Sequence, residues 1–226
     1  MLLFIQENLE ETISEEKTLS IIQLIKDGGL GGQMIIGLLF VLLAVALYIY
    51  FERFFAIKEA SKVDKNFMNQ IRDHVIGGKI ESAKALCENT NTPTARLIGK
   101  GISRIGKPLD DINKAIENAG KLEVYQLERN VSVVATIAGA APMIGFLGTV
   151  IGMIVAIHEI ANSGGQIDIK LLSDGLYTAM TTTVAGLIVG IVAYIAYNHL
   201  VVRTDKVVYQ MEAKSVEFLD LLNEPV

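Results

Sequence analysis

The stretch VSVVATIAGAAPMIGFLGTVIGMIVAI, residues 131–157, contains no Asp, Glu, Lys, Arg or His. Two other stretches of similar length, residues 28–51 and 175–198, are equally free of charge. A helix rises about 1.5 Å per residue, so roughly 20 apolar residues cross a hydrocarbon core of ~30 Å. The sequence therefore predicts an all-α membrane protein with three transmembrane helices.

The rest of the 226-residue chain carries every one of its 20 basic and 25 acidic side chains. The chain is 51% hydrophobic and its mean hydropathy is +0.42, which indicates a membrane protein with a large water-exposed part. The start is rich in Glu, as in Glu10 and Glu11, whereas a secretory signal begins with basic residues. We therefore expect no cleavable signal at residues 1–27.

The distribution of positive charge predicts the topology. Fourteen of the 20 Lys and Arg residues lie in residues 52–130, between the first and second charge-free stretches. The positive-inside rule then places this loop and the C-terminal tail in the cytoplasm and the N-terminus outside. The predicted segments are an outer N-terminal segment 1–32, spans at 33–53, 131–157 and 175–198, a cytoplasmic helical loop 54–130, an outer hairpin 158–174 and a cytoplasmic helix 199–226.

Apolar spacing predicts helices throughout the water-exposed segments. Residues 18–27 form a short amphipathic pattern, and four glycines at 28, 29, 31 and 32 are expected to turn the chain into the membrane. In the long loop we expect helices over 58–75, 79–87 and 95–105, with a turn at 89–93. Asp110 or Asp111 is expected to cap a further helix that continues into the second span. The tail is predicted to be one helix that reaches Asn223.

Small residues recur at helical spacing in the second and third spans. In the second span they include Gly145, Gly148 and Gly152, and in the third Gly186 and Gly190. Small residues let helix backbones approach closely in lipid, where burial of apolar side chains supplies no driving force. The spacing alone leaves open whether this packing lies within one monomer or also between subunits.

Threonines make the third span unusual. Thr178, Thr182 and Thr183 lie with Thr181 within six residues, and Thr149 lies midway along the second span. A lone membrane Thr bonds the i−4 carbonyl of its own helix, but such a cluster suggests a polar ring around a pore. Pro142 removes one backbone hydrogen bond, which predicts a kink and a free carbonyl nearby.

Ionisable residues are absent from the spans and occur only at their ends. Asp174, one turn before Thr178, either caps the third span or attracts cations to a pore mouth. His158 and His199 are expected at the interfaces, and Cys87 is expected to be a small buried hydrophobe. The sequence contains no phosphate-binding loop, metal-spaced His/Cys set or nucleophile–base pair, so we expect neither an enzyme nor a cofactor.

Two membrane motifs carry a resemblance to a known family. APMIGFLGTVIGM at 141–153, with the preceding LERN at 127–130, resembles the second-span signature of the MotA/TolQ/ExbB proton-channel family. AMTTTVAGL at 179–187, followed by Tyr197 and Asn198, resembles the third-span signature. Three spans with one long loop resemble the ExbB/TolQ branch, and ExbB most closely.

The resemblance implies a homopentamer in the bacterial inner membrane, with a periplasmic N-terminus. The second and third helices would line a central pore around single helices of an ExbD-like partner, whose Asp carries protons. A TonB-like protein would receive the energy and drive outer-membrane transport. Thr149 and Thr183 fall on the family's pore threonines.

One position departs from the family pattern. ExbB and TolQ proteins commonly carry a Glu near the start of the third span, where this sequence has Thr178, and Asp174 is the candidate replacement. A TolQ-like subunit for envelope maintenance, a divergent ion-driven stator and a membrane scaffold without ion flow are the alternatives. Hydroxyl and carbonyl groups are compatible with H⁺ and with Na⁺.

Overall fold

The fold consists of seven α-helices in a computed structural model that describes residues 29–62, 66–162 and 169–223. No strand occurs among these residues. The amphipathic segment predicted at 18–27 lies outside them. The helices are α1 (Gly29–Ala60), α2 (Phe67–Ile76), α3 (Ile80–Thr90), α4 (Pro93–Ile102), α5 (Leu109–Leu127), α6 (Val131–Asn162) and α7 (Ile169–Asn223).

Three of these helices, α1, α6 and α7, are long and apolar enough to cross a membrane. Large apolar side chains are exposed along them, among them Phe40 on α1, Phe146 on α6 and Ile195 on α7. Contiguous apolar surface of this kind is rare on soluble monomers and fits contact with lipid or other membrane helices. The prediction of an all-helical protein with three membrane helices is confirmed.

Contacts between residues divide the chain into two compact units. Among the described residues, the first unit comprises 29–41, 141–162 and 169–189, and the second comprises 42–62, 66–140 and 190–223. Within the first unit, α6 packs against α7 through small residues. Within the second unit, α2 to α5 pack around an apolar core together with the adjoining parts of the long helices.

The core of the second unit is centred on side chains that are completely buried. They include Ile71 of α2, Ile98 of α4 and Phe218 near the end of α7. Gly101 on α4 permits this packing, because an added Cβ would lie 2.6 Å from Cε1 of Phe218 and 2.8 Å from Cδ1 of Ile116. A single glycine thus lets α5 and the tail helix meet α4.

The turn between α3 and α4 lies where the sequence predicted one. Asn91 closes α3 in the left-handed region, with φ of 43°. Thr92 caps α4 by accepting a hydrogen bond from the Ala95 amide at 3.3 Å, and Pro93 follows at the start of the helix. These are the residue types that favour a helix end followed directly by a new helix start.

Two predicted continuous helices are interrupted. The helix expected over 58–75 ends at Ala60, where the Ser61 hydroxyl donates to the Lys58 carbonyl at 2.9 Å and competes with the backbone. The helix expected to enter the second span ends at Leu127. Asn130 there adopts φ of 61°, a left-handed conformation that Asn tolerates and a helix cannot contain.

Two further predictions are wrong in detail. Gly29, Gly31 and Gly32 lie inside α1 and do not form a turn. Gly32 is small because an added Cβ would lie 2.6 Å from Cγ2 of Thr178. Neither Asp110 nor Asp111 caps α5, because Pro108 occupies the cap position. Both aspartates lie in the first turn of the helix, where the helix dipole stabilises a carboxylate.

The predicted tail helix is confirmed, since α7 runs without interruption to Asn223. Helices α6 and α7 extend past the charge-free stretches: α6 includes residues 158–162, and α7 begins at Ile169, before residue 175. Helix α6 continues through Pro142, and the kink expected there stays a prediction.

Candidate functional site

The candidate site is the contact between α6 and α7 within the first unit. The two helices run antiparallel: Ala141 and Gly145 of α6 meet Gly186, whereas Ala156 meets Gly175 at the other end. An added Cβ on Gly145 would lie 2.7 Å from the Thr182 carbonyl oxygen and 3.0 Å from Cα of Gly186. The two backbones are therefore in direct contact, as small residues in lipid allow.

The other small residues extend this contact along both helices. An added Cβ on Gly148 would lie 2.6 Å from Cβ of Thr182, and one on Gly152 would lie 3.2 Å from the Gly175 carbonyl oxygen. These glycines therefore lie where α6 and α7 of one chain approach each other closely. Gly190 is also buried, in the second unit. Packing of the same face between subunits stays a prediction.

Thr149 and Thr183 form a reciprocal hydrogen-bond network at the centre of this contact. Their hydroxyls bond each other. Thr149 also donates to the Ala179 carbonyl at 3.0 Å, and Thr183 donates to the Gly145 carbonyl at 3.2 Å. Each hydroxyl therefore reaches the carbonyl that lies four residues before the other threonine.

The network accounts for both hydroxyl protons and leaves acceptor sites free. A hydroxyl has one proton and two lone pairs, so Thr183 donates to Gly145 while Thr149 shares its proton between Ala179 and Thr183. Both side chains are half-buried. The pair can accept a hydrogen bond from water or from a protonated group, but it contains no group that ionises near neutral pH.

The remaining threonines of the predicted ring do not share one face. Thr182 is completely buried against α6 and donates to the Ala179 carbonyl at 2.8 Å. Thr181 is half-buried and bonds the Tyr177 carbonyl of its own turn at 2.9 Å. Thr178 contacts α1 at Gly32. Within one chain, Thr182 is a helix-packing residue, and a pore-lining role for any of the four stays a prediction.

Two predicted site residues lie at the ends of the helices. Asp174 lies in α7, but its side chain falls outside the described part of the structure, so its role as a pore-mouth acid stays a prediction. His158 is exposed on α6, where its Nε2 bonds Asn162 Nδ2 at 3.0 Å. This exposure fits the interfacial position expected from the sequence.

A cluster around His199 in the second unit was not predicted from the sequence. Arg203 Nε donates to His199 Nε2 at 2.9 Å, and Tyr50 Oη lies 2.8 Å from Nδ1. A guanidinium only donates, so Nε2 carries no proton and a neutral His199 donates from Nδ1 to Tyr50. The Arg203 guanidinium also lies 4.7 Å from the Phe54 ring centroid. The spacing of His199 and Arg203 by four was the one signal available.

Cys87 is buried, as the sequence predicted, and packs against Gly99. Burial and the nearby Glu88 raise the pKa of this thiol from 9.0 to about 11. At neutral pH Cys87 is therefore a protonated, weakly nucleophilic thiol. This environment fits a structural role for Cys87.

Comparison with known proteins decides the family. Residues 89–213, more than half of the chain, match the MotA/TolQ/ExbB proton channel family. The chain belongs to this family. The match includes both threonines of the network and most of α7, so the α6–α7 contact lies within the matched MotA/TolQ/ExbB region.

Individual relatives agree with this assignment. The biopolymer transport protein ExbB of Helicobacter pylori is 37% identical over 92 residues, which is 41% of this chain and 62% of the relative. ExbB of Aquifex aeolicus is 35% identical over 88 residues, 39% of this chain and 59% of the relative. The Tol-Pal system protein TolQ of Haemophilus influenzae is 32% identical over 94 residues, 42% of this chain and 41% of the relative. The chain spans about half the length of the curated relatives it matches.

Proposed function

We propose that this chain is a subunit of an ion-driven motor in the bacterial inner membrane. Several copies surround a pore lined by α6 and α7, and a pentamer is the assembly that the family resemblance implies. The motor couples proton flow to movement and, as an ExbB-type subunit, energises outer-membrane transport. Membership of a proton channel family supports this function.

The Thr149–Thr183 network is the observation that carries the proposal. It places two half-buried hydroxyls at one level of two adjoining helices, within stretches that carry no charged side chain. Hydroxyls and carbonyls can hydrate an ion pathway without the high cost of a fixed charge in lipid. Repeated around an axis, the pair would form a polar ring at one depth in the pore.

The absence of charge in the spans calls for a partner. Proton relays through membranes use Asp, Glu or His, and residues 131–157 and 175–198 contain none. We infer that an ExbD-like single-span protein supplies the titratable Asp inside the pore, and that a TonB-like protein receives the movement. Asp174 is the candidate acid of this chain at the pore mouth.

The charge distribution supports one orientation. Residues 52–130 carry most of the Lys and Arg, which favours a cytoplasmic position for α2 to α5. The N-terminus and the connection between α6 and α7 would then face the periplasm. In this orientation helices α2 to α5 of the second unit form a cytoplasmic bundle.

A TolQ-like role in envelope maintenance is the second candidate. The TolQ relative aligns with 32% identity, close to the 35% of an ExbB relative over a similar length. Co-purification separates the two roles. A TonB-type transducer captured with the complex supports the uptake motor, whereas a TolA-type transducer supports envelope maintenance.

The decisive experiment for a motor is ion flux through the complex with its partner. The chain is co-expressed with its ExbD-like partner, its copy number is determined by native mass spectrometry, and the complex is reconstituted into liposomes with a pH gradient. We expect five copies around the partner helices, and proton flux that disappears when the partner's membrane Asp becomes Asn. A stable complex without flux in any gradient would indicate a scaffold.

The same assay tests Asp174. If Asp174 replaces the missing Glu of the family, Asp174→Asn lowers the flux while the complex keeps its mass. Unchanged flux in Asp174→Asn would rule out this role and leave the motor proposal intact.

A further inference from the structure

A cleft of about 1490 Å³ lies in the second unit where the charge-free stretches end. Its lining includes Arg53 just after the first stretch, Val131 at the start of the second, and Tyr197 and Val201 at the end of the third. The same end of all three stretches therefore borders the cleft. This is the depth at which lipid headgroups lie in a bilayer, on whichever side of the membrane it faces.

Two residues that line this interfacial cleft each have a buried polar atom without a hydrogen-bond partner. Arg53 is 9% exposed and Thr204 is 3% exposed, yet Arg53 Nε and Thr204 Oγ1 are both unsatisfied. The rest of the Arg53 guanidinium is held in place, because Nη1 donates to the Gln126 carbonyl at 3.1 Å and Nη2 pairs with Glu52. Buried polar groups are nearly always hydrogen-bonded, so Arg53 Nε and the Thr204 hydroxyl are two exceptions on residues of the cleft lining.

The charges on the rim indicate what kind of partner fits. Arg96 and Glu123 neutralise each other through two hydrogen bonds of 2.7 and 2.5 Å. Among the described residues, Arg129, Glu128 and Asp205 line the cleft, are exposed and take part in no ion pair. The interior therefore offers donors for an anion, and the rim offers carboxylates for a cation beside it.

We propose that the interfacial cleft binds the headgroup of a zwitterionic aminophospholipid, a phosphoethanolamine. The phosphate accepts from Arg53 Nε and Thr204, and the ammonium group lies toward Asp205. The apolar part of the lining nearest the charge-free stretches, which includes Val131, Tyr197 and Val201, borders the start of the acyl chains. A simple anionic lipid would satisfy the donors but would bring no cation of its own to the two rim carboxylates, which outnumber Arg129.

The test measures lipid bound to the complete complex purified in detergent. Native mass spectrometry compares phosphatidylethanolamine, phosphatidylglycerol and phosphatidylcholine with identical short acyl chains, and also soluble glycerophosphoethanolamine. We expect wild-type protein to prefer phosphatidylethanolamine. Thr204→Val keeps the side-chain shape and removes the hydroxyl, and should weaken this binding about tenfold, as loss of a buried hydrogen bond to a charged group does.

Matched variants on the same helix control for general effects. Thr181→Val removes a hydroxyl that bonds its own helix and does not line the cleft, so lipid binding should not change. Asp205→Asn should reduce the preference for phosphatidylethanolamine over phosphatidylglycerol, whereas Asp220→Asn, exposed outside the cleft, should not.

Three results would overturn the proposal. The first is equal binding of all lipids by wild-type protein, and the second is unchanged binding in Thr204→Val. The third is a change in subunit number in Thr204→Val with lipid binding intact, since this would show that another protein segment covers the cleft. Binding of glycerophosphoethanolamine as strong as that of the lipid would show that acyl chains play no part and that the ligand is a soluble phosphate compound.

Discussion

At the scale of single residues, glycines decide where the helices of this chain touch. An added Cβ on Gly186 would lie 2.6 Å from the Ala141 carbonyl oxygen and 2.8 Å from Cα of Gly145. Backbone atoms cannot move aside as flexible side chains can. Gly139 on α6 differs, because an added Cβ meets nothing within 4 Å.

This difference predicts opposite effects of the same substitution. Gly186→Ala should destabilise the protein by about 1–3 kcal/mol through overpacking. Gly139→Ala should be neutral, or stabilising by up to about 1 kcal/mol, since Ala favours a helix. Thermal unfolding of the detergent-purified protein measures both. Equal melting temperatures for the two variants would show that α6 and α7 are not in backbone contact.

Cys87 leads to a prediction about reactivity and pH. Its thiol is buried and its pKa is raised to about 11, so iodoacetamide should label it slowly at pH 8 until the protein unfolds. A cysteine at exposed Ser103, in a Cys87→Ala background, is the control and should react quickly. Rapid labelling of native Cys87 would contradict the burial.

The raised pKa of the Cys87 thiol also makes the stability of the folded protein depend on pH. The folded-state pKa lies above the ordinary value of 9.0, so the stabilising contribution is complete below pH 9 and is lost as the pH rises toward 11. Across this window wild-type protein should lose more stability than Cys87→Ala.

At the scale of elements, an ion pair joins α4 to α5. Arg96 on α4 donates twice to Glu123 on α5, and this hydrogen bonding raises the pKa of the Arg96 guanidinium. The Glu123 side chain is only 10% exposed, although that of Arg96 is 40% exposed. Lys121 and Glu117 form a fully surface pair on α5, with exposures of 70% and 57%.

A double-mutant cycle on each pair should separate them. Arg96→Gln and Glu123→Gln should show a coupling of about 1 kcal/mol, reduced from the value for a buried charged bond because Arg96 is partly solvated. The Lys121–Glu117 pair on the solvated face of α5 should show no measurable coupling. Thermal unfolding of the four variants of each cycle measures this. Equal coupling free energies for the two pairs would mean that water screens the Arg96–Glu123 ion pair as strongly as the Lys121–Glu117 pair.

Element type was more predictable than element ends. The charge-free stretches and the uninterrupted tail identified α1, α6 and α7, because length and apolarity alone specify a membrane helix. The break at Asn130 was missed because a left-handed Asn depends on a local backbone choice that apolar spacing does not report. Gly31 and Gly32 were assigned to a turn because the sequence does not show that Thr178 packs against Gly32.

The sequence identified the two central threonines of the α6–α7 contact as candidates, but it did not predict the hydrogen bonds between them. The sequence singled out Thr149 and Thr183, yet the bonds between them depend on the antiparallel register of α6 and α7, which no local pattern contains. The equal spacing of Gly145 to Thr149 and of Ala179 to Thr183 is a signal that could have suggested it. No pattern in the sequence predicts that Arg53 Nε and Thr204 Oγ1, on residues of the interfacial cleft, lack a hydrogen-bond partner.

At the scale of the whole molecule, the charge-free stretches 131–157 and 175–198 contain none of the side chains that relay protons through membranes. The membrane helices of this chain contribute small residues, hydroxyls and carbonyls, and in the proposed motor the titratable group comes from a partner. Family membership supports a proton channel, and the half-buried threonine pair supports a polar level within it. The central claim is that this pair contributes directly to ion flow.

Partner-dependent proton flux through proteoliposomes, measured for paired threonine variants, tests this claim most directly. Thr149→Val and Thr183→Val keep the side-chain shape and remove the hydroxyl, whereas Thr149→Ser and Thr183→Ser keep the hydroxyl. The account predicts that both Val variants assemble with the partner but lose most of the flux, and that both Ser variants retain it. Full flux in both Val variants, with the complex intact, would contradict it.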